Sequence, residues 1–233
     1  MLFTKKKEEI CVPAPKHVAV DLEGIGRWAQ GQKIEVGDAY QKSFLRVLEL
    51  VDQQVQFNIP VLTFFVMSPR IRGTHRAEVL LESFAGFLES SEMKSRVVSK
   101  KIKVTIIGKW YDLSQQVVEA IRRIAEETKD YDSFFLNFCL NYDGQEEIVD
   151  ACKLIGRQIR LGKIDPEVVT KELIKENLYS SYFIPPDVFI RNGKERILSS
   201  LLLWDSVGAR IFFTNKLFPD FTVDDFIRIV AGG

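Results

Sequence analysis

The sequence predicts an α/β protein: one domain with a mostly parallel central sheet of about six strands, flanked by helices. Two observations support this class. Unbroken apolar runs rich in β-branched and aromatic residues are typical of strands buried on both faces, and they occur at residues 17–22, 60–67, 103–108, 133–141, 187–192 and 209–214. Segments of helical length separate these runs, and such alternation favours parallel pairing of the strands across helical crossovers.

Each predicted helix depends on apolar residues that recur three or four positions apart. In the segment 41–55, for example, Phe44 and Leu48 would face the core. The other helices are predicted at residues 75–89, 113–128, 145–161 and 168–177. A chain of 233 residues can form one such domain with a large core. We therefore divide it into an N-terminal extension, residues 1–15, and a single domain, residues 16–233.

Composition argues against several classes of function. The chain has 32 basic residues (Lys and Arg) and 32 acidic residues (Asp and Glu). Its net charge therefore gives no general attraction to nucleic acid, and we expect no nucleic-acid partner. No apolar run approaches the roughly 20 residues needed to span a bilayer, and we expect neither a transmembrane segment nor a signal peptide. Cys11, Cys139 and Cys152 are few and scattered. They predict no disulfide framework and a cytoplasmic location, with peripheral membrane contact as an open alternative.

The most informative segment is HVAVDLEGIGRWA, residues 17–29. A strand-like run ends at a carboxylate, and two glycines and an arginine follow it. At the carboxyl end of a parallel strand, glycines let the backbone approach a ligand, and the first amides of the next helix attract an anion. Glu23 and Arg27 on one turn suit a metal-bound, multiply charged group such as a diphosphate. Asp21 either assists them or faces solvent at the end of the strand.

The same segment resembles the signature of the cis-prenyltransferases, the undecaprenyl diphosphate synthase-like family, which usually reads H-V-A-x-x-M-D-G-N-G-R-W-A. The likeness continues through LNFCLNYDG at residues 136–144, DVFIR at 187–191 and FPDF at 218–221. These blocks keep the family's order over residues 16 to 230. The resemblance implies the family's α/β fold, prenyl diphosphate substrates and a magnesium ion.

The resemblance implies roles for the residues of the first turn. Glu23 stands where the family has an aspartate that binds magnesium and helps the incoming isopentenyl diphosphate to react, so Glu23 is the expected catalytic and metal-binding carboxylate. Gly24, Gly26 and Arg27 match the family's diphosphate-binding turn without change. Ile25 replaces an asparagine, which makes the turn more apolar.

A later family motif, R-x-x-G-x-x-R-x-S, implies further diphosphate ligands. Arg191 matches its first arginine. Arg196 and Ser199 match the second arginine and the serine if one residue is deleted before them, and the resemblance then makes Arg196 both a catalytic and a diphosphate-binding candidate. An ungapped alignment instead places Ile197 at the second arginine, and the two alignments remain open.

Other family positions are altered. The family's basic residue and histidine after the first helix begins are here Glu35 and Asp38, and acids disfavour a nearby diphosphate. Of the family's S-x-E-N-W loop only Ser68 is kept, and we count it among the catalytic candidates. The loop gains Arg70 and Arg72, with Arg76 close behind. These arginines form either a solvated basic loop or a relocated phosphate site.

Arg210 stands where the family has a glutamate that reaches the metal of a neighbouring subunit. An arginine cannot bind magnesium, but it pairs bidentately with phosphate. We therefore expect Arg210 in the diphosphate site and a weaker magnesium dependence than the family norm. The apolar residues 201–204 and 211–213 favour a homodimer, with a heteromer as the alternative.

A prenyl diphosphate also needs an apolar tunnel for its carbon chain. The candidates for its lining are Phe44, Phe84, Phe87, Leu88, Leu136 and Phe138. Large apolar residues of these types are more often part of an ordinary hydrophobic core. The sequence thus favours a transferase that condenses or rearranges short isoprenoid diphosphates and releases diphosphate. The alternative is a weak or inactive family member that acts as a partner subunit of a heteromeric cis-prenyltransferase or as a prenyl diphosphate binder. The length of the prenyl chain and the stereochemistry of the product remain open.

Overall fold

The computed structural model describes residues 14–232. Its single sheet has six strands in the order β3-β4-β2-β1-β5-β6, and all neighbouring pairs are parallel. The strands are β1 (His17–Asp21), β2 (Val61–Met67), β3 (Ile102–Ile107), β4 (Phe134–Leu140), β5 (Val188–Arg191) and β6 (Arg210–Phe213). The predicted α/β fold is confirmed. The proposed extension lies almost entirely outside the described residues, so the division at residue 15 stays a prediction.

Helices cover both faces of the sheet. They are α1 (Ile25–Gln32), α2 (Val36–Gln56), α3 (His75–Glu89), α4 (Ser91–Ser99), α5 (Gln115–Glu127), α6 (Gly144–Arg160), α7 (Lys171–Glu176) and α8 (Val223–Val230). The predicted helix at 75–89 coincides with α3, which the Thr74 side chain caps. The predicted helix at 168–177 is shorter in the structure, because Thr170 caps α7.

Two helices, α4 and α8, were not predicted. The short helix α4 buries only Met93 and Val97, which is too few apolar residues for a period to stand out. Helix α8 begins with a capping box between Thr222 and Asp225. That pair is a recognised start signal for a helix, and it was present in the sequence.

The core lies on both sides of the strands. Val18 and Val20 of β1 pack into the larger cluster, under α2 and α3, while Ala19 faces a smaller cluster with Phe189. This alternation explains why every residue of β1 is buried. The apolar runs from which the strands were predicted therefore result from helices on both faces.

The strand order places one crevice at a defined position. Strands β1 and β5 are neighbours, but β1 is followed by β2 on one side and β5 by β6 on the other. In open α/β sheets, ligands bind outside the carboxyl ends of the two strands where the order reverses. Those ends are Asp21 and Arg191. The fold thus brings the turn after β1 beside the end of β5. None of the helices in residues 14–232 is long and apolar enough to cross a membrane.

Candidate functional site

The turn between β1 and α1 is held in one conformation. Gly24 precedes α1 with φ 89°, in the left-handed region that favours glycine. A Cβ atom at Gly24 would lie 2.4 Å from Cδ2 of Leu217. The carbonyl of Glu23 accepts a hydrogen bond of 3.1 Å from the amide of Phe218. The turn is therefore fixed against residues 217–218, and α1 presents the N–H groups of its first turn at the carboxyl edge of the sheet.

A network of charged side chains lies where β1 meets β5. Arg191 Nη1 donates a hydrogen bond of 2.5 Å to Asp21 Oδ2, and the same nitrogen contacts Oε2 of Glu23. The other oxygen of Glu23 accepts a hydrogen bond of 2.8 Å from Arg27 Nη2. Arg27 Nη1 also lies 3.8 Å from an oxygen of Glu195. Three of the predicted site residues, Glu23, Arg27 and Arg191, are thus in direct contact.

The members of this network lie at different depths. The side chains of Asp21 and Arg191 are 6% and 9% exposed, whereas those of Glu23 and Arg27 are 26% and 48% exposed. Burial raises the pKa of Asp21 to about 7, although the Arg191 guanidinium opposes the shift. The backbone of Asp21 is also fixed, because Asn192 Nδ2 donates a hydrogen bond of 2.8 Å to its carbonyl. Of the two orientations left open, Asp21 therefore takes the inner one and does not face solvent.

A charged cleft of about 360 Å³ opens beside the first turn of α1. Gly26, Arg27, Val36 and Arg76 are among its lining residues. The Arg76 guanidinium lies against Gly26, because a Cβ atom there would be 2.8 Å from Arg76 Cζ. Arg76 Nε donates a hydrogen bond of 3.2 Å to the hydroxyl of Tyr40. A second guanidinium thus lines the cleft with Arg27, and it comes from the first turn of α3, directly after the loop whose arginines had two interpretations.

The arginines of the loop itself, Arg70 and Arg72, make no hydrogen bond or ion pair with this network. Arg72 Nη2 donates a hydrogen bond of 2.8 Å to the carbonyl of Asp112, and Arg70 is exposed. Ser68 caps the short turn Pro69–Ile71 by accepting a hydrogen bond of 3.3 Å from the amide of Arg70. The structure shows Ser68 in this capping role and does not include it in the charged network.

The residues of the second family motif, R-x-x-G-x-x-R-x-S, do not all lie together in the structure. Ser199 lines a small cavity of about 10 Å³ together with Asp21 and Arg191, and its hydroxyl accepts a hydrogen bond of 3.4 Å from the amide of Leu201. The Ile197 carbonyl accepts a hydrogen bond of 3.0 Å from Arg191 Nε. Arg196 is exposed and takes no part in these contacts. Ser199 therefore lies beside the network, and the roles of Ser199 and Arg196 in binding diphosphate stay predictions.

Arg210 is not brought to the network within one chain. It begins β6 opposite Val188, whereas Arg191 pairs with Phe213 at the far end of that strand. Three residues of a strand span about 10 Å, so Arg210 lies toward the amino end of the sheet. Its guanidinium lies over the ring of Phe212, 5.8 Å from the ring centre. Arg210 therefore lies outside the charged network of its own chain, and its contribution to a diphosphate site across a subunit interface stays a prediction.

An apolar cleft of about 620 Å³ lies between α2 and α3. Phe44 and Phe87, two of the predicted tunnel residues, line it, and their rings stack 4.8 Å apart. The other four candidates are fully buried in the core: Phe84, Leu88, Leu136 and Phe138. Phe84 packs edge-on against Phe138, 5.3 Å between ring centres. The apolar cleft therefore ends on packed aromatic rings, and the assignment of the deeper residues to a tunnel stays a prediction.

The geometry allows a test of whether these residues fit a magnesium ion. Magnesium is usually held by one or two carboxylates together with substrate phosphates. Here each oxygen of Glu23 contacts a guanidinium group, and Asp21 is buried against Arg191. Within residues 14–232, no group of three or more His, Cys, Asp or Glu side chains is placed to hold a metal ion. The donor set as arranged does not fit a magnesium ion on Glu23.

Comparisons with known proteins agree with this architecture. The family model described as "Putative undecaprenyl diphosphate synthase" matches residues 22–232. The tritrans,polycis-undecaprenyl-diphosphate synthase (geranylgeranyl-diphosphate specific) of Thermococcus kodakarensis is 33% identical over 220 residues, which cover 93% of this chain and 83% of that protein. The isoprenyl transferase of Thermotoga maritima is 31% identical over 219 residues, or 93% and 92% of the two chains.

A solved structure is similar over the same length. The crystal structure of lavandulyl diphosphate synthase from Lavandula x intermedia in complex with dimethylallyl diphosphate has a TM-score of 0.89 and 26% identity, and the match covers 94% of each chain. These similarities confirm the resemblance first found in residues 17–29 and the prediction of a prenyltransferase enzyme. The chain belongs to the undecaprenyl diphosphate synthase family of prenyltransferases.

Proposed function

We propose that the protein binds prenyl diphosphates at the β1–β5 crevice and condenses or rearranges them with release of diphosphate. One observation carries this proposal: the charged cleft and the apolar cleft adjoin along the same two helices. Val36 of α2 and Arg76 of α3 line the charged cleft, while Gly37 and Val79, on the same helices, line the apolar one. A ligand with a doubly phosphorylated head and a hydrocarbon tail matches this pair of surfaces.

The charged cleft suits the chemistry of the leaving group. In a condensation, the carbon–oxygen bond to one diphosphate breaks, a carbon–carbon bond forms to the double bond of the second substrate, and that substrate loses a proton. The departing diphosphate keeps the electron pair and gains negative charge. Arg27 and Arg76 line this cleft, and Arg191 is linked to Arg27 through Glu23. With the N-terminal amides of α1, these guanidinium groups are placed to stabilise that charge, and fixed donors of this kind are usually the largest contribution to catalysis.

The apolar cleft suits the carbon chain. Phe44, Leu48, Val79 and Phe87 provide apolar walls, while Glu82 and Glu92, which also line it, are exposed. Burial of hydrocarbon against such walls contributes about 0.8 kcal/mol per CH₂ group. Because the cleft ends on the aromatic rings of the core, we favour short prenyl diphosphates over long polyprenyl chains.

Catalysis is favoured over a role as an inactive partner subunit, because the curated relatives are named as enzymes. Incubation of the purified chain with C5, C10 and C15 prenyl diphosphates, singly and in pairs, tests this proposal. We expect mass spectrometry to detect a new prenyl product together with released diphosphate. No product under any condition, with product on addition of a second family subunit, would support the partner role instead.

We also propose a weaker magnesium dependence than the family norm and a cytoplasmic location. The magnesium proposal is supported by the guanidinium groups on both oxygens of Glu23, and no longer by Arg210. The location is supported by the scattered cysteines. Activity over a magnesium titration, with a chelator control, tests the first: strict and tight dependence on magnesium would contradict it.

We propose that the protein forms a homodimer, with an interface smaller than residues 201–204 and 211–213 together. Leu201 and Leu202 are buried within the chain, so they are not available to a second subunit. Phe213, on the edge strand β6, is 38% exposed and Val207 is 87% exposed. Light scattering at micromolar concentration should give the mass of a dimer, and a monomer alone would count against this surface.

A further inference from the structure

Glu23 occupies the same guanidinium groups that a diphosphate would need. Its Oε1 accepts from Arg27 Nη2 over 2.8 Å, and its Oε2 contacts Arg191 Nη1. Arginine pairs with carboxylates and phosphates through the same fork of donors. A diphosphate that reached both arginines would therefore compete directly with Glu23.

Asp21 differs from Glu23 in its position relative to solvent. It contacts Arg191 from the inner side, with 6% of its side chain exposed, and its backbone carbonyl accepts a hydrogen bond from Asn192. Glu23 lies on the outer side, with 26% of its side chain exposed. An anion that enters from solvent meets Glu23 first, and Asp21 can keep its contact with Arg191 after Glu23 has moved.

We propose that Glu23 is a displaceable counterion on Arg27 and Arg191, which the incoming diphosphate group replaces, and that Asp21 is the positioning residue that holds Arg191 throughout. This inference rests on the proposed function and adds to it how the ligand-free site is kept neutral. It also gives Glu23 a role opposite to that of a metal ligand. A metal ligand strengthens the binding of diphosphate, whereas a competing counterion weakens it.

The opposite signs define the experiment. The probe is inorganic pyrophosphate, titrated calorimetrically into the full chain, once with a chelator and once with excess magnesium. Glu23→Gln removes the competing charge and keeps the shape of the side chain. We expect it to tighten metal-free binding of pyrophosphate on the order of fivefold, the size expected when two partly exposed ion pairs are lost.

Two further variants separate competition from a general change in charge. Glu127→Gln also removes one exposed carboxylate, but on α5, behind the far edge of the sheet, and it should leave the affinity within about twofold. Asp21→Asn removes a buried negative charge that contacts Arg191, so simple electrostatics would tighten binding. Because a positioning role predicts weaker binding, we expect Asp21→Asn and Glu23→Gln to change the affinity in opposite directions.

The outcomes are distinct from those of the product assay. If the unmodified chain binds pyrophosphate only with magnesium, and Glu23→Gln abolishes that binding, Glu23 is a metal ligand and the inference is overturned while the proposed function stands. If Asp21→Asn tightens binding as Glu23→Gln does, Asp21 does not position Arg191. If Glu23→Gln tightens binding but no prenyl diphosphate is converted, the proposed function fails and the counterion role is retained. Circular dichroism of each variant establishes that it is folded.

Discussion

Arg191 donates a hydrogen bond of 2.5 Å to Asp21, and the two residues lie at the carboxyl ends of neighbouring parallel strands. They are 170 positions apart in the sequence. Both side chains are buried, so each is the partner that makes burial of the other tolerable. The contact therefore joins the two strands at the crevice and fixes the inner wall of the candidate diphosphate site.

Removal of Asp21 should destabilise the fold. Asp21→Ala leaves the buried guanidinium of Arg191 without its inner partner, and loss of one member of such a pair costs about 3 kcal/mol or more. Urea unfolding measures the change. Asp112→Ala, which removes an exposed partner 3.9 Å from Arg72, is the control and should change the unfolding free energy by less than about 1 kcal/mol. Equal losses in the two variants would mean that the buried contact contributes nothing special.

Removal of Arg27 should weaken the binding of anions. A hydrogen bond to a charged group contributes about 1.5–3 kcal/mol, so Arg27→Ala should weaken pyrophosphate binding at least about tenfold. Because the Arg27 side chain is 48% exposed, its loss should leave the unfolding free energy nearly unchanged. Arg72→Ala is the matched control. If calorimetry gave an unchanged affinity for Arg27→Ala and a loss for Arg72→Ala, the anion would lie on the loop after β2.

His17 should make stability depend on pH. Burial lowers the pKa of His17 to about 4, and its ring nitrogens are hydrogen-bonded to the Ile184 carbonyl at 2.6 Å and the Thr63 hydroxyl at 2.8 Å. Between that pKa and the ordinary value near 6.5, the unfolded chain binds a proton that the folded chain does not. The contribution of the neutral His17 ring to the unfolding free energy is therefore complete above about pH 6.5, and it is lost as the pH falls toward 4.

The size of this effect is about 2 to 3 kcal/mol between pH 7.5 and 4.5. Urea unfolding of the native chain and of His17→Gln at both pH values measures it. The native chain should lose more stability than the variant on acidification. Asp21 also titrates in this range, but it does so in both proteins and cancels in the comparison. A variant that lost as much stability as the native chain would show that His17 is not the titrating group.

Phe84 should act as a core residue. It is fully buried and packs against Phe44, Phe87 and Phe138. Phe84→Ala should therefore cost about 3–5 kcal/mol of unfolding free energy. Leu45, the neighbour of Phe44 on α2, is 56% exposed. Leu45→Ala should therefore cost less than about 1 kcal/mol of unfolding free energy. A Phe84→Ala variant of nearly native stability that makes longer products would instead place Phe84 in a substrate tunnel.

The sequence predicted much of this fold because its signals are local. Each strand is buried on both faces and so appears as an apolar run, and α3 has both a helical period and a cap. The crevice was also predictable, since parallel strands with helical connections bring the ends of β1 and β5 to one edge. Glu23, Arg27 and Arg191 meet there as expected.

The remaining features depend on distances that sequence does not contain. Whether Asp21 faces inward depends on packing by β5, which comes from the other end of the chain. The order of the family motifs along the sequence places Arg210 at a site position. That order does not show that Arg210 begins β6, at the end of the strand away from Arg191. This position keeps Arg210 out of the network of its own chain. The closure of the apolar cleft likewise depends on how the aromatic rings pack between α2, α3 and β4.

A crystal structure with an unreactive thio analogue of dimethylallyl diphosphate would show which groups bind the diphosphate and whether it displaces Glu23. We expect diphosphate oxygens within hydrogen-bond distance of Arg27, Arg191 and the first amides of α1, with the Glu23 carboxylate turned away and Asp21 still bonded to Arg191. A diphosphate bound on Arg70 and Arg72, with Glu23 still between Arg27 and Arg191, would contradict it.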